Sequence, residues 1–280
     1  MDENTSGPTA LRTPPRILRE EQSTGRMEGR IVSERQPLEG VGARIGRRAL
    51  DIAASLFVLT AGLPLMLGIA VAIKLDSRGP VFFKHRRVGR NRRRTASTSK
   101  HDPERRKEHL YGRPFTLYKF RTMFADAKQR FPDLYAYDYS PEELRTLPIK
   151  VLVGRKERAR ADDGTLDVDD PRVTRLGRWL RKTSLDELPN FVNVLKGDMH
   201  VVGPRADIVE NIRYYPEAHR AKLDVRPGVT GLAQINGRGW LSFLQTNELD
   251  LEYVRHRSLA LDLEILWKTI LVALKGDGAY

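Results

Sequence analysis

There is no cysteine anywhere in the 280 residues. That excludes disulfide frameworks, cysteine-ligated zinc, iron–sulfur clusters and thiol catalysis together. Also missing are the GxxxxGK[ST] phosphate loop, the GxSxG nucleophile elbow and the HExxH zinc signature, so P-loop, α/β-hydrolase and zincin chemistry drop out. Acidic residues are in the minority. Against 49 Lys+Arg stand 36 Asp+Glu, a formal +13, which points to an anionic partner: nucleic acid, a phosphorylated substrate or acidic lipid. A hydrophobic fraction of 40% excludes a polytopic membrane protein but leaves room for one apolar segment. The opening MDENTSG is acidic and polar where a secretory leader needs a basic and then an apolar stretch, so the chain is expected to begin on the cytoplasmic side.

A chain of this length holds at most two ordinary domains and reads as one domain with insertions, large enough to bury a core without staples. Residues 1–43, rich in Pro, Gly, Ser, Glu and Arg at their start, read as a loosely ordered tail, and 44–280 as the functional domain. No charge interrupts residues 52–73, IAASLFVLTAGLPLMLGIAVAI. As a straight helix they would extend about 33 Å, enough to cross a ~30 Å hydrocarbon layer. The chain then turns basic: residues 84–107 carry 11 Lys/Arg against Asp102 and Glu104, net +9 of the total +13.

Both flanks of the apolar run are basic, with Arg44, Arg47 and Arg48 before it and Lys74, Arg78 and Lys84 after it, whereas a span requires one depleted flank. Pro64, just after Gly62, would kink or break a helix in mid-run. Two half-helices of about a dozen residues meeting at Pro64, with both ends cytoplasmic, satisfy the charge rule. A kinked span with a basic outer loop is the alternative.

The rest reads as a mixed helix-and-strand body. Phe115, Leu117 and Phe120 mark a strand bounded by Gly112 and Pro114. Ser140-Pro141-Glu142-Glu143 has the form of a helix start with a capping box, inside an insertion at 131–167. Near the C-terminus Leu259, Leu263, Leu266, Trp267, Ile270 and Leu274 share one helical face. Periodicity favours packing of that face into the core; a lipid interface is the alternative.

Three features carry candidate chemistry. In Thr183-Ser184-Leu185-Asp186-Glu187-Leu188-Pro189-Asn190, Ser184 and Glu187 have capping-box spacing. Asp186 and Glu187 would then sit at a helix start, where the dipole favours ionised carboxylates. An ionised Asp can attack phosphorus or ligate Mg²⁺, although acids in a first turn are also ordinary helix-start chemistry. Around this motif Arg181, Arg205, Lys119 and Arg121 form a basic set suited to a diphosphate, the last two alternating about Phe120 on one strand face. Third, Asp167-Val168-Asp169-Asp170 is a DxD-like triplet that could chelate a divalent ion.

In order along the chain, RRALDIAASLFVLTAGLPLMLGIAVAIKLDSRGPVFFKHRRVGRN, PFTLYKFRTMFADA, DPRVTRLGRWLRKTSLDELPNFVNVLKGDMHVVGPR and RPGVTGLAQINGRG resemble the bacterial sugar transferases, the monotopic polyprenyl-phosphate phosphoglycosyl transferases. The resemblance covers most of 47–275. It implies an α+β, mainly helical monotopic membrane protein: a re-entrant helix–break–helix at 51–75, broken at Pro64, and a cytoplasmic catalytic body with interfacial amphipathic helices. It further implies transfer of a sugar 1-phosphate from a UDP-sugar to undecaprenyl phosphate at the inner membrane, with release of UMP. Asp186 would be the nucleophile and a ligand of Mg²⁺, supported by Glu187; Lys119, Arg121, Arg181 and Arg205 would hold phosphate. An anionic bilayer is an expected partner, nucleic acid is not, and a homodimer is left open.

Three departures from the family pattern stand out. Leu63 stands where Ser often precedes the break proline, Ala206 replaces a proline after GPR, and the segments 92–113 and 131–167 are non-standard. Two other readings stay in view. One is a membrane-associated glycosyl transferase with its metal on Asp167 and Asp169, releasing UDP. The other is a non-enzymatic binder of nucleic acid or acidic lipid built on 84–107, which the carboxylate motif disfavours.

Overall fold

The structure, a computed structural model, describes residues 40–91, 112–154 and 170–275. Asp167 and Asp169, nearly all of the basic 92–113 segment and residues 1–39 of the expected tail lie outside the described residues. Helix α1 (Val41–Ala61) and helix α2 (Leu63–Asp76) come first. Strand β1 (Phe82–Val88) pairs antiparallel with β2 (Pro114–Phe120), in a register that sets Phe83 opposite Lys119 and Arg87 opposite Phe115. Short helices α3 (Ala127–Arg130), α4 (Pro141–Thr146) and α5 (Ile149–Gly154) follow, then α6 (Arg175–Thr183) and α7 (Asn190–Lys196). Strands β3 (His200–Val202) and β4 (Gly228–Thr230) pair in parallel, and α8 (Leu232–Ile235), α9 (Phe243–His256) and α10 (Leu259–Lys275) complete the chain. The body is thus α+β and mainly helical.

The first helix begins at Val41, inside the expected tail, and runs 21 residues rather than a dozen. The chain breaks at Gly62, two residues before Pro64, and α1 and α2 differ in direction by 60°. A β-carbon on Gly62 would lie 2.3 Å from the Val58 carbonyl oxygen, so the corner accepts only glycine. Pro64 then falls in the first turn of α2, where its missing N–H leaves no bond unmade. No single described helix is long and apolar enough to cross a membrane, although the bent pair together has the length and composition.

Helix α1 is amphipathic in the reverse sense for a water-soluble body. Its buried residues are Arg47, Asp51 and Ser55, at a spacing of four, while Ile45, Leu56 and Phe57 are exposed. Arg47 Nε donates to Asp262 Oδ2 at 2.5 Å, and Tyr253 donates its hydroxyl to the other Asp262 oxygen at 2.7 Å. Asp51 lies 2.7 Å from His200 Nδ1 and accepts the Val201 N–H at 2.9 Å. These bonds fasten α1 to α10 and β3, and α10 in turn to α9. The C-terminal stripe corrects the core-packing expectation: Leu263, Trp267 and Ile270 are more than half exposed, and α10 buries Asp262 and Ile265 instead. Leu266 is the member of the stripe that packs partly against the core.

The main apolar core joins Leu117 of β2, Val194 of α7, Val201 and Val202 of β3, Tyr253 and Val254 of α9, and Ile265. Beside it Lys222 is almost wholly buried and donates to Asp207 Oδ2 (2.8 Å), Asn247 Oδ1 (2.5 Å) and Asp250 Oδ2 (3.0 Å). The Lys222 ammonium is the main influence holding the Asp207 carboxyl below its usual range against burial. Replacing Lys222 by Met strands two buried carboxylates. The expected cost is about 3–5 kcal/mol, read as a lowered unfolding midpoint in detergent. Breaking the exposed Arg130–Asp126 pair with Arg130→Ala should cost under about 1 kcal/mol.

Candidate active site

The turn that carries Asp186 and Glu187 is built by a chain reversal between two helices. Ser184 ends α6 in the left-handed conformation (φ 58°), a 3₁₀ turn covers Leu185–Glu187, and Pro189 precedes α7. The expected Ser184–Glu187 capping box is therefore not made, because Ser184 closes one helix instead of opening the next. The capping box at Ser140 is formed in full, with Ser140 N–H to Glu143 Oε2 at 2.7 Å and Glu143 N–H to Ser140 Oγ at 3.2 Å.

Asn193, with no exposed surface, fixes α7 against the sheet. Its amide donates to the Thr116 carbonyl at 2.7 Å, and its oxygen accepts the Tyr118 N–H at 3.1 Å, so a side chain takes the place of a neighbouring strand. That clamp brings Lys119 to the carboxylates: its Nζ lies 2.5 Å from Glu187 Oε1 and 3.7 Å from Asp186 Oδ2. Helix α6 approaches the chain at Thr122 so closely that a β-carbon on Gly177 would lie 2.0 Å from the Thr122 carbonyl oxygen. Arg181 then donates from Nε to Thr122 Oγ1 at 3.0 Å, with Asp170 3.8 Å from its terminal nitrogen.

These groups open into a cleft of about 550 Å³. Lys119, Arg181, Asp186, Glu187 and Arg205 all line it, and the Arg205 backbone N–H is held by the Asp250 carboxylate at 3.1 Å. Five of the six proposed catalytic and phosphate-binding residues thus meet in one place. Arg121 does not. Its guanidinium turns away and donates to the carbonyls of Pro80 (2.6 Å), Arg78 (2.7 Å) and Ser77 (2.7 Å), with Ile73 at 3.4 Å. The strand ends at Phe120, and the free carbonyls at and beyond the end of α2 form a negative socket for a planar cation.

Other wall residues carried no local signal: His85, Tyr135, Tyr137, Tyr139, Lys150, Arg172 and Arg178. Arg172 grips Asp170 through two bonds of 2.8 Å, which engages the last residue of the acidic triplet. Burial pushes the His85 imidazole down to about 4, helped by Arg87, so it is neutral at physiological pH. Burial also pushes the Asp186 carboxyl up; the Lys119 ammonium opposes this and the Glu187 charge adds to it. The expected helix-dipole support is thus replaced by a lysine, since α7 begins only at Asn190. Among the described residues no three His, Asp or Glu side chains cluster as a metal site.

The bacterial sugar transferase family model matches residues 42–276. The chain belongs to that family. It is 34% identical over 232 residues to an uncharacterized sugar transferase, EpsL, of Bacillus subtilis, covering 83% of this chain and 89% of that protein. Over 238 residues it is 34% identical to the undecaprenyl-phosphate galactose phosphotransferase of Salmonella typhimurium, which covers 85% of this chain and 42% of the relative. The UDP-glucose:undecaprenyl-phosphate glucose-1-phosphate transferase of Escherichia coli is 34% identical over 252 residues, 87% of this chain and 43% of the relative. The chain therefore spans less than half the length of the last two bacterial sugar transferases.

Two stability outcomes follow from the site. Arg121→Ala should lower stability by about 2–4 kcal/mol by stripping several carbonyls of a charged donor, and Arg121→Lys should recover only part of it, both measured by thermal unfolding in detergent. Because the raised Asp186 carboxyl binds its proton more tightly folded than unfolded, its ionisation opposes folding above the ordinary Asp range. Asp186→Asn should therefore raise the unfolding midpoint at neutral pH, an advantage that shrinks as the pH falls toward the ordinary Asp range.

Proposed function

We propose that this protein transfers a sugar 1-phosphate from a UDP-sugar to undecaprenyl phosphate, releasing UMP, through a covalent intermediate on Asp186. The reading is supported above all by one arrangement: a buried carboxylate 3.7 Å from the Lys119 ammonium, in a cleft that Arg181 and Arg205 also line. A diphosphate repels a carboxylate until its charge is neutralised, and fixed cations in a water-poor cleft do this without reorganisation. An Asp186 oxygen attacks the phosphorus bearing the sugar. The bond from that phosphorus to the bridging oxygen breaks, and UMP leaves with the bridging oxygen and its electron pair. An oxygen of undecaprenyl phosphate then attacks the same phosphorus and displaces the Asp186 carboxylate, giving the sugar diphospholipid.

The Lys119 ammonium opposes the burial that favours the acid form of Asp186, and it donates to Glu187 beside it. Asp186, with Glu187 beside it, would hold Mg²⁺ through carboxylate oxygens, the donor type that this ion takes. When bound, Mg²⁺ supplies additional neutralisation of the diphosphate. Asp51 and Arg47 place α1 so that its apolar face and the stripe on α10 are both exposed, as a surface resting in a lipid interface requires. In that setting the bent α1–α2 pair enters the cytoplasmic leaflet and returns, satisfying the basic flanks. The basic residues beyond it hold the body to anionic headgroups at about 1 kcal/mol each.

Purified protein in nanodiscs containing undecaprenyl phosphate should release UMP, not UDP, from a UDP-sugar. Asp186→Asn should abolish release, at least about 10⁴-fold, and wild-type protein quenched without acceptor should carry a phospho-sugar mass on the peptide containing Asp186. Lys119→Met should lower turnover about 10²–10³-fold and move the acid limb of the pH–rate profile upward. Release of UDP, or an active Asp186→Asn enzyme, would sink the mechanism.

A further inference from the structure

The segment that carries Arg205 is anchored at every residue from Gly203 to Asp207. The Gly203 N–H donates to the Thr230 carbonyl at 2.9 Å, and the Pro204 carbonyl accepts the Gly228 N–H at 2.8 Å. Arg87 donates to the Ala206 carbonyl at 3.1 Å, and the Val88 N–H to the Asp207 carbonyl at 2.9 Å. The N–H of Arg205 itself is taken by a side chain, since the two carboxylate oxygens of Asp250, on α9, lie 3.1 and 3.2 Å from it. Asp250 has no exposed surface, and Lys222, which donates to it at 3.0 Å, is 1% exposed. Neither residue lines the cleft. Any influence they have on a bound substrate must therefore pass through Arg205 or its neighbours.

A buried charge cluster is weak support for stability, because apolar packing of equal volume often serves as well. What it supplies here is direction. Asp250 meets two donors at once, Lys222 and the Arg205 N–H, so its orientation is set from both sides. Lys222 also donates to Asp207 Oδ2 at 2.8 Å, and the Tyr215 hydroxyl donates to the same oxygen. Asp207 does line the cleft, two residues beyond Arg205. A bare carboxylate there would repel a phosphate, and the Lys222 ammonium offsets its charge. One buried ammonium thus joins the anchor of Arg205 to the acidic residue nearest it in the chain.

We propose that Asp250, carried by Lys222, is a positioning residue that fixes Arg205 for phosphate. This rests on the proposed function only for a diphosphate in the cleft, and is tested by binding, apart from chemistry. Asp250→Asn keeps the size of the side chain but offers one oxygen to two donors, and the charged Lys222 is the stronger competitor for it. Calorimetry measures UDP binding to the full chain in nanodiscs for the wild type, Asp250→Asn, Arg205→Ala and the double variant, with UMP release from a UDP-sugar assayed in parallel. Lys119 and Arg181 remain to hold UDP where Arg205 is removed. Asp250→Asn should weaken binding about tenfold in the wild-type background and less than about twofold in Arg205→Ala. A merely structural role would give the same loss in both. Lys222→Gln, run through the same cycle, is a second route to the result, and its loss should also be confined to chains that keep Arg205. Equal losses in the two backgrounds, or wild-type affinity in Asp250→Asn, would overturn the assignment even if UMP is released. Losses that depend on Arg205, without UMP release from any donor, would support Asp250 and overturn the transferase mechanism instead.

Discussion

Helix α1 buries ionic groups and exposes apolar ones, and the placement of everything else depends on that inversion. Arg47 and Asp51 cannot be left inside the body without partners, because an unpaired buried charge is far more costly than any apolar contact it displaces. Asp262, itself held by Tyr253, pairs with Arg47, and His200 and the Val201 amide pair with Asp51. Once they are engaged, the rotation of α1 about its axis is fixed, and Ile45, Leu56 and Phe57 have nowhere to go but outward. Position follows from polar pairing, and the exposed greasy surface is its consequence.

The same logic recurs at the second helix and in the cleft. Arg121 closes the end of α2 by taking carbonyls from Ile73 to Pro80, which ties the C-terminal end of that helix to the strand that carries Lys119. Asn193 ties that strand to the helix that follows the carboxylate turn. The cleft is therefore linked to the apolar surface through two rigid connections. In the proposed reaction that linkage sets the height of Asp186 above the lipid, where the phosphate of a membrane-bound acceptor would have to arrive. Within the cleft Lys119 stands beside the carboxylates, 3.7 Å from Asp186.

Much of the site was legible locally because its signals are contiguous. TSLDELPN places Asp186 and Glu187 beside each other whatever the fold, and Arg181 and Arg205 flank them in a segment whose helix and turn signals are strong. The capping box at Ser140 was legible for the same reason. Ser184 misled because the same tetrapeptide spacing serves a helix start or a helix stop, and the left-handed backbone at that residue chooses the latter. Arg121 misled because strand alternation says which face a residue takes only while the strand lasts, and it ends one residue earlier. Lys150 gave no signal at all, since an isolated lysine beside apolar neighbours looks like any other surface lysine until Trp240 is folded over it.

By itself the amino-acid sequence determined the apolar run, a break in it within two residues of Pro64, the basic excess and the identity of the carboxylate pair. Each of these is set by covalent geometry, by side-chain chemistry or by spacing within a few residues. Only the tertiary structure decided which face of α1 and α10 is buried and which of the basic residues reach the cleft. Those outcomes rest on pairings such as Arg47 with Asp262, 215 positions apart. No local pattern encodes them, because the desolvation cost that selects such a pairing arises only when the two segments are packed together.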